Sequence, residues 1–270
     1  MIDIGAGPPL VLVPGIQGRW EWMRPTVEAL AAHFRVLSFT LAGEWTSRHA
    51  FEPRLGFDNY TVQIDRTLEE AGIESAVVCG VSYGGLIALR YAATRSQRVR
   101  SLVLASALPP DYVPDARYHF YRRSPSLLLP VFLLDSSRRV APELRAAFPR
   151  WIDRARFDAV HGCRVLAAPA SPRRMRDRME LLGTTSFAGD AERVAAPTLV
   201  ITGAEHLDRT VPPALTRRYL DRIPGSTLAV LEQTGHLGPV TRARQFADVI
   251  VAFASQPGGG RVPLAQKLAG

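Results

Sequence analysis

The sequence predicts an α/β fold with a mostly parallel central sheet, helices on both faces, and a helical segment inserted between two core strands. Three observations carry this expectation. Short continuous apolar runs alternate with stretches of helical spacing up to residue 108, the pattern of strands buried on both faces. The rhythm breaks over residues 109–190, where prolines recur and no clear strand is seen, and it resumes afterwards. A glycine-flanked serine, Gly80-Val81-Ser82-Tyr83-Gly84, stands where one apolar run passes into a helix-like stretch.

Each element can be justified in turn. Only Ile2-Asp3-Ile4 precedes the loop at Gly5-Ala6-Gly7, so any early antiparallel strand is short or missing. Leu10 to Val13 reads as a buried strand. Glu21 to Ala32 has helical spacing, with Trp22, Val27, Leu30 and Ala31 apolar. Arg35 to Phe39 is the next strand, and residues 40–58 form an irregular loop holding Trp45 and Phe51. Tyr60 to Ala71 is helical and stops at Gly72, a residue suited to the left-handed end of a helix. Ala76 to Cys79 is a strand, Leu86 to Arg95 the helix behind it, and Arg100 to Ala105 another strand. In the interruption, short helical pieces such as Glu143 to Ala155 and Arg173 to Leu182 are expected between the prolines. The core resumes with a strand over Thr198 to Thr202, a helix over Ala214 to Asp221, a strand over Thr227 to Leu231 and a last helix to Ala254. The expected organisation is therefore a first core part over 1–108, a helical cap over 109–190, a second core part over 191–255 and a flexible tail over 256–270, which contains Pro257-Gly258-Gly259-Gly260.

The serine motif is where chemistry enters. A serine between glycines at a strand-to-helix turn can take strained dihedrals. The missing Cβ atoms on either side let strand and helix pack closely and push Oγ toward solvent. The new helix points its free N–H groups and positive dipole end at that oxygen. Far downstream come Asp208, in Asp208-Arg209-Thr210-Val211-Pro212, and His236, in Gln233-Thr234-Gly235-His236. A serine, an acid and a histidine in that chain order are the parts of an acyl-transfer triad.

These residues resemble the α/β-hydrolase family, over about residues 8–108 and 194–254. Pro14-Gly15-Ile16-Gln17-Gly18 is similar to the family's oxyanion loop, and Trp22-Met23-Arg24-Pro25 to the start of its first helix. The resemblance implies Ser82 as nucleophile, His236 as general base and Asp208 as the acid that orients the imidazole. It also implies an oxyanion hole made by the backbone N–H groups of Ile16 and Tyr83, each worth roughly 3–4 kcal/mol on the developing charge. Gln17 and Trp20 would sit just beyond the hole and line the substrate site. The chain departs from the family's pattern in three places. Pro14-Gly15 stands where many relatives have His-Gly, which a backbone donor tolerates. His206 occupies the position three residues after Gly203, so Asp208 lies two further on and Glu205 is a rival acid. The stretch Thr40-Leu41-Ala42-Gly43-Glu44-Trp45-Thr46-Ser47 is a degraded form of the family's D-x-x-G-x-G-x-S.

The activity so implied is hydrolysis of an ester, lactone or thioester of a small to medium hydrophobic acyl compound, through an acyl-enzyme and without a cofactor. Acyl transfer and C–C bond hydrolysis use the same triad on this fold, and a non-catalytic ligand-binding relative is the alternative of another class. Serine at the turn argues against the aspartate-dependent epoxide hydrolases and haloalkane dehalogenases.

Composition bounds the rest. A chain of 270 residues with 47% hydrophobic residues suits one domain with an insertion. The longest apolar run, Leu127 to Leu134, is broken by Pro130 and falls short of the ~18 residues of a membrane span. The first residues carry no basic-then-apolar signal, and two cysteines make a disulfide framework unexpected, so a reducing cytoplasm is the expected setting. Lys267 is the only lysine among 33 Lys+Arg; the net charge of +8 is spread along the chain with no aromatic-interleaved basic strip, so no nucleic-acid partner is expected. His33, His49, His119 and His161 lack metal-ligand spacing, no phosphate-cradling glycine motif occurs, and neither a metal nor a nucleotide cofactor is expected. The expected partner is a small-molecule substrate, with oligomeric state left open. Residues 111–180 hold fourteen arginines against eight acids, which reads first as a solvated surface and second as a field that draws anionic substrates.

Overall fold

The structure is a computed structural model that describes residues 1–114 and 116–255; the tail expected over 256–270 lies outside the described residues. Among the described residues, seven strands form one sheet: β1 (Ile2–Ile4), β2 (Pro9–Val13), β3 (Arg35–Ser38), β4 (Ala76–Val81), β5 (Val99–Ala105), β6 (Thr198–Gly203) and β7 (Thr227–Leu231). Their spatial order is β1-β3-β2-β4-β5-β6-β7. All neighbouring pairs run parallel except β1 with β3, where Ile2 faces Ser38 and Ile4 faces Val36. The early antiparallel strand expected to be short or missing is thus present, as three residues.

The strands are apolar throughout because both faces are covered. Side chains alternate across a pleated strand, and the core divides accordingly. Val11, Val13, Val78, Leu102, Leu104 and Val200 point to one face, packed by Tyr60, Ile64 and Leu68 of α2 (Asn59–Glu70), Leu86 and Leu89 of α3 (Tyr83–Thr94), and Tyr219 of α8 (Pro213–Arg222). Leu10, Leu12, Val77, Cys79, Val103, Leu199 and Ile201 point to the other, packed by Val27 and Leu30 of α1 (Arg24–Ala31) and by Phe246, Ile250 and Phe253 of α10 (Ala243–Ala254). Each such aliphatic side chain contributes about 1.5–3 kcal/mol by leaving water.

Between β5 and β6 lie four helices: α4 (Ala116–Tyr121), α5 (Leu129–Ala147), α6 (Trp151–Ala167) and α7 (Pro172–Thr184). Here the sequence expectation needs correcting. The helix expected over Glu143 to Ala155 is divided between two longer ones, α5 and α6, whereas the one expected over Arg173 to Leu182 is found as α7. Pro130 and Pro172 sit in the first turns of α5 and α7, where a missing N–H costs nothing. Pro142 lies inside α5. The break falls at Phe148 (φ −129°, ψ 85°), because the ring of Pro149 disfavours helical dihedrals in the residue before it. The last helix expected to Ala254 is found as α10, preceded by a short helix α9 (Gly238–Thr241) that ends at Arg242 (φ −123°, ψ 42°). Among the described residues, no helix is long and apolar enough to cross a membrane.

Candidate active site

Ser82 occupies the turn between β4 and α3 with φ 56° and ψ −120°, a left-handed conformation rare for a residue with a side chain. Such strain costs on the order of 1–3 kcal/mol and persists only where the surroundings enforce it. They do so here. Ser82 N–H donates to the Ala105 carbonyl (2.9 Å), and Ser82 C=O accepts from Gly85 (2.9 Å) and Leu108 (3.3 Å). The flanking glycines are sterically required. A Cβ on Gly80 would lie 2.2 Å from the Gly84 carbonyl oxygen, and one on Gly84 would lie 2.5 Å from the carbonyl oxygens of Val13 and Pro14. Gly85 meets Ala107 in the same way, at 2.3 Å.

Tyr83 opens α3, so its N–H belongs to the group that has no partner inside the helix. The loop of Pro14 to Gly18 runs directly against the serine: the Cβ position of Gly15 is 3.6 Å from Ser82 Cβ and 3.1 Å from Gln17 Oε1. Gln17 Oε1 and Ser82 Cβ thus both lie next to Gly15. Trp20 is only partly buried and packs against the core cluster of Met23, Val27 and Leu30, so at least part of its ring serves packing.

Asp208 and His236 come together at the end of the sheet. Asp208 Oδ2 lies 3.2 Å from His236 Nδ1, while Oδ1 accepts from the N–H groups of Val211 (2.8 Å) and Thr210 (3.0 Å). The acid is buried, which by itself pushes its carboxyl up. The neighbouring His236 and the two N–H donors outweigh this and hold it below the usual range. For His236, burial alone favours the neutral ring, but the Asp208 carboxylate, aided by Glu143, raises the imidazole above its ordinary value. The His236 side chain keeps 14% exposure. Glu205, the rival acid, stands apart: its side chain is 55% exposed and pairs with Arg217 at 2.9 Å. His206 is exposed as well. Two residues after the position where the pattern places an acid, the chain still delivers Asp208 to the histidine.

Three residues that sequence reasoning gave no role stand close to these groups. Arg178, on α7, is 2% exposed and reaches the loop of Pro14 to Gly18. Its Nη1 donates to the Ile16 carbonyl (2.8 Å), and its Nη2 lies 2.9 Å from Oε1 of Glu44, which is 0% exposed. The Tyr83 hydroxyl donates to the Arg178 carbonyl (3.1 Å). One residue of the inserted helices therefore braces both Ile16 and Tyr83. Gly18 (φ 69°) makes room for it, since a Cβ there would fall within 2.7–2.9 Å of the guanidinium. Glu44 gives the atypical Thr40–Ser47 loop a purpose: it carries the counter-charge of Arg178. The third residue is Glu143 of α5, whose Oε2 accepts from the N–H groups of Gly235 (2.7 Å) and Leu237 (3.0 Å).

Arg150–Asp153 and Arg176–Glu180 are local pairs of the kind found on a solvated surface; Arg139 also pairs locally, with Asp135, but its side chain is only 19% exposed. Among the described residues, no group of three or more histidine, cysteine or acidic side chains is arranged to hold a metal ion.

The sequence profile described as the alpha/beta hydrolase family matches residues 10–249. A protein of Azorhizobium caulinodans named "Putative carbamate hydrolase RutD" is 28% identical over 262 residues, covering 93% of each chain. The pimeloyl-[acyl-carrier protein] methyl ester esterase of Xanthomonas campestris is 27% identical over 263 residues, covering 93% of this chain and 97% of its own. Among solved structures, the bromoperoxidase from Bacillus anthracis superposes with a TM-score of 0.73 at 25% identity, covering 94% of both chains.

Proposed function

Because the chain belongs to the alpha/beta hydrolase family, we propose that it is a serine hydrolase cleaving an ester, lactone or thioester of a small to medium hydrophobic acyl compound. Ser82 Oγ attacks the acyl carbon while His236, through the ring nitrogen not facing Asp208, takes the serine proton. The developing oxyanion is held by the N–H groups of Ile16 and Tyr83. His236 returns the proton to the leaving oxygen or sulfur, and an acyl-enzyme remains. Water then enters, gives its proton to His236 and attacks the same carbon; the acid departs and Ser82 regains its proton. Asp208 keeps the imidazole in the required tautomer and stabilises the imidazolium that forms twice in the cycle. The inserted helices act in this reading as a cap over the site, and their apolar side chains supply affinity for the acyl group.

The observation that carries the proposal is the strained Ser82 turn, with φ 56°, closed by three glycines that admit no side chain. The names of the relatives support the bond type: a methyl ester in one and a carbamate in the other. The test is a panel of p-nitrophenyl esters of graded chain length, with Ser82→Ala as control. The expected result is a kcat/KM maximum at short to medium acyl chains and a loss of at least a thousandfold in the variant, as befits a missing nucleophile. Turnover by Ser82→Ala within about tenfold of wild type would remove Ser82 from the mechanism.

A further inference from the structure

Glu143 is 1% exposed, yet it is a carboxylate in a place where an uncharged acceptor would satisfy the same donors. It lies on α5 and reaches across to the loop after β7, where its Oε2 takes the two peptide N–H groups that bracket His236. The loop is shaped to admit it: a Cβ on Gly235 would sit 2.7 Å from that oxygen. Burying a charge without a counter-ion of its own is costly, and a residue serving only to satisfy two N–H groups has no use for it. The charged groups around the pair are His236 and Asp208, which face Glu143, and Arg139 of the same helix, which opposes the charge on His236. Burial lifts the Glu143 carboxyl from 4.5 to about 7; the two N–H groups and His236 restrain the rise, and Asp208 adds to it.

We infer that Glu143 is a positioning residue for His236, fixing the histidine loop through the N–H groups of Gly235 and Leu237 and, in its ionised form, supporting the imidazolium. The base is then fully assembled only when α5 is seated on the core. This rests on the reading of His236 as general base. Charge support of this kind leaves a mark that packing alone does not. Removing the charge while keeping the shape must make His236 easier to deprotonate, so the base becomes competent at lower pH.

The test uses the full chain as wild type, Glu143→Gln and Glu143→Ala. His236 is titrated by imidazole NMR, and kcat and KM for one p-nitrophenyl ester are followed across pH. In Glu143→Gln the amide oxygen still accepts the N–H groups, so kcat at the pH plateau stays within about tenfold of wild type while the His236 titration and the acid limb of kcat/KM both move to lower pH. In Glu143→Ala the two N–H groups lose their acceptor, and kcat falls about ten- to a hundredfold with KM changed much less, the size of effect expected from a displaced catalytic group. An unmoved His236 titration in Glu143→Gln overturns the proposal, whether or not Glu143→Ala folds. The NMR arm also separates the two readings. A shifted titration in a protein that hydrolyses no ester upholds the Glu143–His236 link and rejects the proposed function. An unmoved titration in an active enzyme rejects the link alone.

Discussion

Replacing Arg178 by methionine removes a cation whose side chain is 2% exposed and leaves Glu44, 0% exposed, without its partner. It also strips the Ile16 carbonyl of a 2.8 Å donor. Breaking a buried pair on one side costs about 3–5 kcal/mol, because the remaining charge cannot be resolvated. For a chain of this size, at about 2–4 °C per kcal/mol, the melting temperature falls by roughly 6–20 °C. Removing both charges together should cost less, since a buried pair replaced by apolar groups is often neutral. Urea unfolding of Arg178→Met, Glu44→Leu and the double variant gives the coupling directly. The double variant is expected to lie closer to wild type than either single one. Activity measured below the transition adds the functional side: with Ile16 unbraced, an oxyanion donor shifts, and kcat drops by up to about 10²–10³ while KM moves less. Additivity of the two single effects within about 0.5 kcal/mol would show that Arg178 and Glu44 do not act as a pair. An unchanged kcat in a folded Arg178→Met protein would show that the brace does not reach the oxyanion loop.

Other expectations follow from the same geometry. Asp208→Asn lowers kcat by about three to four decades, whereas Glu205→Gln changes it little; the reverse order in steady-state kinetics would transfer the acid's role to Glu205. Gly84→Ala drives a Cβ to 2.5 Å from two backbone carbonyl oxygens and is expected to cost about 1–3 kcal/mol by overpacking and to depress kcat; a melting curve and kcat both matching wild type would contradict the close approach. Glu143 has a folded-state value of about 7 against 4.5, so between those pH values the folded protein retains a proton that the unfolded chain has lost. Its contribution is therefore greatest below pH 4.5 and is lost as pH rises through 7, a swing of about 3 kcal/mol. Melting curves from pH 4.5 to 8 should show Glu143→Gln gaining on wild type as pH rises, and a constant difference would refute the buried titration.

The sheet was legible because each strand is a short apolar run and each intervening helix has a clear apolar stripe. The turn at Ser82 was legible because its three glycines are local in sequence and have a local steric cause. Asp208 could be proposed from its place between β6 and His236; its contact with His236 and the pairing of Glu205 with Arg217 are visible only in the structure. The inserted helices are less legible, because proline breaks a helix at some positions and begins one at others, as at Pro130 and Pro172. The roles of Arg178 and Glu143 could not be read at all. Their contacts span 162 and 92 residues, and neither lies in a spacing that marks a partner. An isolated buried charge among fourteen arginines and eight acids carries no local signal; its meaning arises only when the inserted helices are docked on the core.

The central claim is that the Oγ of Ser82 is a nucleophile activated by its surroundings. The most direct measurement is reaction of the full chain with a fluorophosphonate probe, followed by intact mass and peptide mapping. One adduct per chain is expected, on the peptide containing Ser82, formed in wild type and lost in Ser82→Ala, with labelling slowed strongly in His236→Ala. No adduct on the folded wild-type protein, or an adduct that persists in Ser82→Ala, would contradict it.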